Sequence, residues 1–184
     1  QTQPWIYPLE RPQAAPGRSV LLTTGELVAD HPLQQRDRFA LTARLEAHLP
    51  ADLSASEHAQ LLALPREWAP RAQAWGQQLA ARYPRPRDRL NAYLHALATQ
   101  GYRYTLEPPS PGEDWVDGVL FTTRQGFCEH FAGASAVVLR AAGLPTRVIG
   151  GYLGGEFNPV GDYLIVRQLD AHAWIEVWLD GAWE

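Results

Sequence analysis

Apolar positions divide the chain into an extended first quarter and a helical middle. Residues 1–50 carry short apolar runs between prolines and glycines, and these runs predict strands at Trp5–Tyr7, Ser19–Thr23 and Phe39–Leu45. Beyond them the apolar residues recur at helical spacing. We therefore interpret residues 1–50 as the end of a preceding β-rich region with its linker, and residues 51–184 as a separate core domain.

This helical spacing predicts three helices, at 54–64, 67–83 and 88–100. The first opens with a capping box, Ser54-Ala55-Ser56-Glu57, in which the serine and glutamate satisfy each other's backbone N–H groups. Pro70 fits only in the first turn of the second helix, where its missing N–H costs nothing. The aromatic and leucine stripes of these helices are typical of an ordinary core.

The last third of the chain reads as one helix followed by strands. Residues 132–142 are apolar at helical spacing, while Thr146–Leu153, Asp162–Arg167 and Ala171–Leu179 predict three antiparallel strands. Asp180-Gly181 is a hairpin signal that leads into a fourth strand. The pattern predicts an α+β fold, with a helix packed on an antiparallel sheet.

Cys128 is the only cysteine in the chain, and its surroundings point to a reactive thiol. The helix predicted after it puts the thiol at a helix N-terminus, where unpaired N–H groups and the positive end of the helix dipole stabilise a thiolate. Gly126, two residues earlier, permits a close backbone approach. Since a lone cysteine is more often a small buried hydrophobic residue, the catalytic interpretation depends on a partner.

The partner predicted by the sequence is His172, on the last full strand. A lone thiol before a helix, with a histidine on a later strand, is the order of a papain-like cysteine enzyme. Alternate positions His172, Trp174 and Glu176 form a polar and aromatic face. We expect that face to turn toward the helix that carries the thiol, and Ile175 and Val177 to lie on the opposite face.

Composition narrows the class of partner. The net charge is −4, with acidic and basic residues interspersed, which argues against nucleic acid. No apolar run reaches the 18 residues of a membrane span. The cysteine and histidines lack zinc-ligand spacing, and the glycines form no phosphate-binding loop, so we expect neither a metal nor a cofactor.

Three blocks of the sequence, in this order and spacing, resemble the core of the bacterial transglutaminase-like superfamily. They are Arg124–Ala132 (RQGFCEHFA), Gly143–Tyr152 (GLPTRVIGGY) and His172–Trp178 (HAWIEVW). The flanking tryptophans and the segment 97–115 are similar to one branch of the family, the membrane-anchored proteins of the transglutaminase protein A type. The resemblance implies a papain-like fold, and a periplasmic domain of an inner-membrane protein.

The resemblance also implies cysteine-dependent acyl transfer on a carboxamide, as in a protein glutamine γ-glutamyltransferase. Cys128 would attack the carbonyl carbon, ammonia or an amine would leave, and an amine would resolve the thioester, with His172 as the acid and base. The backbone N–H of Cys128 and an indole N–H, for which Trp115 is the candidate, would stabilise the oxyanion.

A third catalytic group, usually an aspartate, must orient the imidazole. The resemblance places it just beyond Glu184, so the domain is expected to be truncated before its last strands. Asp170 and Glu176 share the strand of the histidine and are poorer candidates, because neighbours on one strand rarely reach the correct ring nitrogen.

The expected partners are a glutamine-containing protein or peptide and an amine donor, which the resemblance places in the cell envelope. Two alternatives stay open. If water resolves the thioester, the domain is a thiol peptidase or a peptidoglycan amidase. If the triad is incomplete, it is a non-catalytic binding module of the same fold.

Overall fold

A computed structural model of the chain describes residues 4–8, 11–22, 26–33, 37–44, 49–50 and 52–184. The chain forms two compact units, Gln1–Leu49 and Pro50–Glu184.

The first unit consists of short strands around a small apolar cluster. Its strands are β1 (Trp5–Ile6), β2 (Arg11–Pro12), β3 (Ser19–Leu21), β4 (Leu27–Ala29) and β5 (Ala43–Arg44), and β6 (Leu49–Pro50) lies at the boundary of the two units. The antiparallel order β1-β4-β3 forms one sheet, and β2 pairs with β5. The strands predicted near residues 5, 19 and 43 are confirmed in shortened form, while Thr23 and Leu45 lie outside the described residues.

Among the described residues, the long helices lie in the second unit. These are α1 (Ala55–Leu62), α2 (Pro70–Arg82), α3 (Pro86–Thr99), the short α4 (Trp115–Gly118), which continues as a π-helical turn (Val119–Thr123), and α5 (Cys128–Ala141). Its strands are β7 (Arg103–Tyr104), β8 (Gln125–Gly126), β9 (Thr146–Tyr152), β10 (Glu156–Asn158), β11 (Tyr163–Ile165), β12 (Ala171–Leu179) and β13 (Ala182–Trp183). Over the described residues, none of the helices combines the length and hydropathy that a membrane crossing requires.

The local signals for the first two helices are confirmed. The Ser54 hydroxyl accepts a hydrogen bond from the Glu57 N–H at 3.2 Å, and the Glu57 carboxylate accepts one from the Ser54 N–H at 2.8 Å. Pro70 is the first residue of α2. The third helix starts two residues earlier than predicted, because Pro86 also occupies a first-turn position.

The capping box of α1 gives a direct stability prediction. Replacing Ser54 with alanine removes the acceptor for the Glu57 N–H, so we expect the free energy of unfolding to fall by about 1 kcal/mol. Chemical denaturation of the two proteins measures the difference. A Ser54→Asp variant keeps an acceptor at this position and should recover most of the loss. Equal stability of the native and alanine proteins would contradict the prediction.

Strand β12 organises the sheet of the second unit. It pairs antiparallel with β9 over seven residues, from Ala171 opposite Tyr152 to Val177 opposite Thr146, and with β13 on its other side. Asp180 and Gly181 both have positive φ, 52° and 85°, as the predicted two-residue hairpin turn requires.

One predicted strand pairs differently from our expectation. The antiparallel strand predicted at 162–167 is confirmed as β11 (Tyr163–Ile165), but it lies outside the sheet that contains β9 and β12. Strand β11 instead pairs with β10, a strand that the sequence pattern did not reveal, and the two form a separate hairpin. The hairpin lies between β9 and β12 in the chain, so it leaves these two strands free to pair directly with each other.

The core of the second unit lies where α2 and α5 meet β12. Leu79 of α2, Val138 of α5 and Val177 of β12 are buried in one cluster, against which Ile175 packs. Our prediction that Ile175 and Val177 lie away from the helix was therefore wrong. The period of two along the strand is correct, but the aliphatic face packs in the core that contains α5, because burying aliphatic surface dominates the folding energy.

Candidate active site

Cys128 is the first residue of α5 and is half-buried. Phe127 precedes it in an extended conformation and ends the approach from β8. The prediction that the thiol stands at a helix N-terminus is therefore confirmed. The helix runs unbroken to Ala141, and its middle is buried in the core, so the thiol is held on a rigid element.

The position of His130 accounts for the glycine at position 126, two residues before the thiol. Its Nδ1 atom accepts a hydrogen bond from the Phe127 N–H at 3.4 Å, and its ring lies 4.3 Å from the Phe127 ring, centroid to centroid. A Cβ atom on Gly126 would come within 2.7 Å of the His130 Cβ atom. The glycine is thus required for close approach, as predicted, and His130 acts as a cap of the helix.

Tyr104 is the shared neighbour of the two predicted catalytic residues. The pKa of its hydroxyl is raised, first by desolvation and then by the nearby side chain of Cys128. Its ring stacks on the imidazole of His172, with the ring centroids 6.5 Å apart and an interplanar angle of 27°. Tyr104 is therefore a neighbour of both Cys128 and His172, which are far apart in the chain. A direct contact between the sulfur and the imidazole stays a prediction.

The two acidic residues near His172, Asp170 and Glu176, both bind partners other than the imidazole. Asp170 accepts a hydrogen bond from the Arg167 N–H at 2.8 Å. Glu176 accepts a hydrogen bond from the Arg147 Nε–H at 2.8 Å and forms an ion pair with its Nη2 at 2.6 Å, and the same guanidinium lies 4.0 Å above the centre of the Trp183 ring. These contacts hold both groups in place by themselves, which fits the expectation that neither orients the imidazole.

Trp115 lies deeper along the nucleophile helix than the thiol. Its ring edge meets Gly133, where an added Cβ atom would come within 2.6 Å of it. Its ring centroid is 6.0 Å from that of His130 and 6.2 Å from that of Trp68. These contacts place the indole against the second turn of α5, and its role as an oxyanion donor stays a prediction.

Two aspartates that sequence reasoning missed anchor the segment before the thiol. Asp117 accepts hydrogen bonds from the N–H groups of Arg71 and Ala72 at 2.9 and 2.8 Å, and Asp114 accepts one from Ala69 at 2.8 Å. The two carboxylates thus cap the N-terminus of α2 from 45 residues away. A local capping motif would have shown in the sequence, but this contact forms only in the folded chain.

The fold and the site define a papain-like α+β core, in which a cysteine opens a buried helix and a histidine follows on an antiparallel strand. The family model of the Transglutaminase-like superfamily matches residues 73–184. The chain belongs to this superfamily.

Known relatives agree with this assignment. The chain is 40% identical over 177 residues to a protein-glutamine gamma-glutamyltransferase of Pseudomonas aeruginosa, a match that covers 96% of this chain and 26% of that protein. It is 37% identical over 98 residues to the uncharacterized protein YebA of Bacillus subtilis, which covers 50% of this chain and 13% of YebA. The chain therefore spans only about a quarter of the first relative, and less of the second.

A solved structure matches over the whole chain. The crystal structure of the periplasmic domain of TgpA from P. aeruginosa superposes with a TM-score of 0.89 at 38% identity, and covers 100% of this chain and 64% of that one. The same domain bound to ethylmercury gives the same score. Family, fold and relatives together support a transglutaminase-like function.

Proposed function

We propose that this domain is a cysteine acyltransferase that acts on the carboxamide of glutaminyl side chains. The Cys128 sulfur attacks the carbonyl carbon, the C–N bond breaks, and ammonia leaves with a proton delivered by His172. The resulting thioester is then attacked by a primary amine, which loses a proton to His172 as the sulfur leaves. The product is an isopeptide-type amide, and the thiol is restored.

The observation that carries this proposal is the convergence of Cys128 and His172 on Tyr104. A thiol at a helix N-terminus that shares a neighbour with an imidazole has the parts that nucleophilic acyl transfer needs. The relative named as a protein-glutamine gamma-glutamyltransferase supports the glutaminyl substrate. The match to a periplasmic domain supports a place in the bacterial cell envelope, where the substrate would be a protein or peptide and an amine donor.

The register of the sheet supports an orienting acid beyond Glu184. Val177 and Glu184 exchange both backbone hydrogen bonds, at 2.8 and 3.0 Å, and Trp178 lies opposite Trp183. A strand that continued in this antiparallel register would come level with His172 about five residues past Glu184. An aspartate there would reach the imidazole from a neighbouring strand, which is the geometry that two residues on one strand lack.

Incorporation of an amine distinguishes the candidate reactions. We expect a protein that includes the segment after Glu184 to attach a fluorescent primary amine to a glutamine-containing protein such as a casein. Gel fluorescence measures the product, and ammonia release measures the first step. If ammonia or cleaved peptide appears without incorporation, even at high amine concentration, the domain is a hydrolase. If neither appears and the thiol also resists an alkylating probe, the domain is a binding module.

A further inference from the structure

Tyr104 is held beside the nucleophile by the backbone, and that position needs an explanation. Strand β7 pairs parallel with β8, so that Tyr104 lies opposite Gly126. The Arg103 N–H donates to the Arg124 carbonyl at 2.9 Å, and the Thr105 N–H donates to the Gly126 carbonyl at 2.8 Å. This two-residue ladder, immediately before the helix that carries the thiol, fixes the tyrosine relative to the start of α5.

The tyrosine is not a core residue. Its side chain is 56% exposed, in contrast to Tyr93, which is fully buried and donates to Ser135. The exposed ring lies over His172 while the hydroxyl turns inward to Cys128. The pKa of the Tyr104 hydroxyl is raised, first because its surroundings exclude water and then because it bonds to Cys128. The phenol therefore remains protonated at neutral pH and can donate a hydrogen bond.

Acyl transfer places a negative charge close to these groups. When the thiolate adds to a carbonyl, the carbonyl oxygen becomes an oxyanion beside the sulfur, within reach of the Cys128 N–H. The pairing of β7 with β8 holds Tyr104 opposite Gly126, two residues before the nucleophile, and the pKa of its hydroxyl is affected by both the thiol and this backbone group. The carbonyl oxygen of a bound substrate can replace the phenol oxygen as the acceptor of the Cys128 N–H, and can accept a second hydrogen bond from the phenol O–H. Because one side of the Tyr104 ring is exposed, the phenol has room to shift for this.

We propose that the Tyr104 hydroxyl is the second donor of the oxyanion site, acting together with the backbone N–H of Cys128. The inference rests on the proposed acyl transfer and names a further catalytic residue for it. Trp115, the donor expected from the resemblance, packs with its ring edge against Gly133 and with its ring near His130.

A Tyr104→Phe variant tests the hydroxyl alone, since it keeps the ring over His172. In a protein that includes the segment after Glu184, acylation by p-nitrophenyl acetate is followed as a burst of nitrophenolate, in which the thiolate adds to the carbonyl and the C–O bond breaks. We expect the burst rate constant to fall by about 10²-fold, the loss typical of one oxyanion donor. Alkylation of Cys128 by iodoacetamide displaces iodide without forming an oxyanion, so its rate should change by less than about twofold.

Tyr102→Phe is the matched control. It lies two residues earlier, and its hydroxyl donates to the Leu120 carbonyl at 2.8 Å instead of interacting with the thiol. Its burst rate should equal that of the native protein, even if its thermal midpoint falls slightly. The thermal midpoint of Tyr104→Phe should stay close to the native value, because the variant keeps the ring and its stacking on His172 at a residue outside the core.

Three results would overturn the assignment of Tyr104. A burst as fast as or faster than the native one would show that the hydroxyl is idle or blocks the site. A parallel loss of alkylation would show that it acts through the thiol or imidazole and only positions them. If the native thiol is alkylated but never acylated, the proposed acyl transfer fails and the oxyanion role fails with it. A burst that is normal in the native protein and unchanged in Tyr104→Phe contradicts the role of Tyr104 but leaves the proposed acyl transfer intact.

Discussion

Replacing Cys128 with alanine should abolish acyl transfer while the protein stays folded. The only cysteine of the chain is at this position, so no second thiol can substitute for it. We expect both the ester burst and amine incorporation to fall by at least about 10⁴-fold. The free energy of unfolding should change by no more than about 1–2 kcal/mol, because the side chain is half-buried and fills no core position.

The histidine provides the companion experiment. His172→Ala should lose nearly as much activity as Cys128→Ala, and the double variant should be no worse than either single one, because nucleophile and base act as a unit. Burst kinetics and thermal melts of the three proteins measure this. Acylation that survives in Cys128→Ala would place the nucleophile elsewhere. Losses that multiply in the double variant would show that the two residues act independently.

Local signals account for what the sequence predicted correctly. The capping box at Ser54, the proline at the start of α2 and the turn at Asp180-Gly181 each depend on a few adjacent residues, and each is found as predicted. The helix start at Cys128 is of the same kind, because the apolar period after it is long and unbroken.

The features that escaped prediction depend on contacts between distant segments. The sequence predicts a short strand at Tyr102–Leu106, which is confirmed as β7, but its parallel pairing with β8, which puts Tyr104 beside the start of α5, leaves no signal in the sequence. Asp117 caps a helix 45 residues before it in the chain. The aromatic content of 102–104, just before the catalytic blocks, was the available signal for the tyrosine, but it fits core packing equally well.

The face of β12 shows how a functional signal can mislead. His172, Trp174 and Glu176 were read as one site-facing row because they are polar or aromatic. Hydrophobic burial favours the other row instead, and Val177 lies in the core that contains α5. Trp174 packs over Gly151, where an added Cβ atom would come within 2.8 Å of it. The predicted catalytic residue of β12, His172, therefore lies near the start of the strand beside Tyr104, while the residues that follow it make packing contacts.

Gly76 should be a sensitive packing position in the core of the second unit. It lies on the buried stripe of α2, where an added Cβ atom would come within 2.2 Å of the Val138 carbonyl oxygen and 2.6 Å of the Ala141 Cβ atom. Both belong to α5, and a helix backbone cannot yield as a flexible side chain does. Alanine at this position must push α2 and α5 apart.

We expect Gly76→Ala to lower the free energy of unfolding by about 1–3 kcal/mol, the usual cost of overpacking. In an isolated helix the same change would add about 1 kcal/mol of stability, so the sign of the effect identifies the close helix contact as its cause. Denaturant titration measures it.

Gly150→Ala is the matched control, because a Cβ atom at Gly150 meets nothing within 4 Å. Its stability should stay within about 0.5 kcal/mol of the native value. A Gly76→Ala protein as stable as this control would show that α2 and α5 can separate without cost. Since α5 carries Cys128 at its first position, the burst rate of Gly76→Ala should also fall, while that of Gly150→Ala should stay close to the native rate.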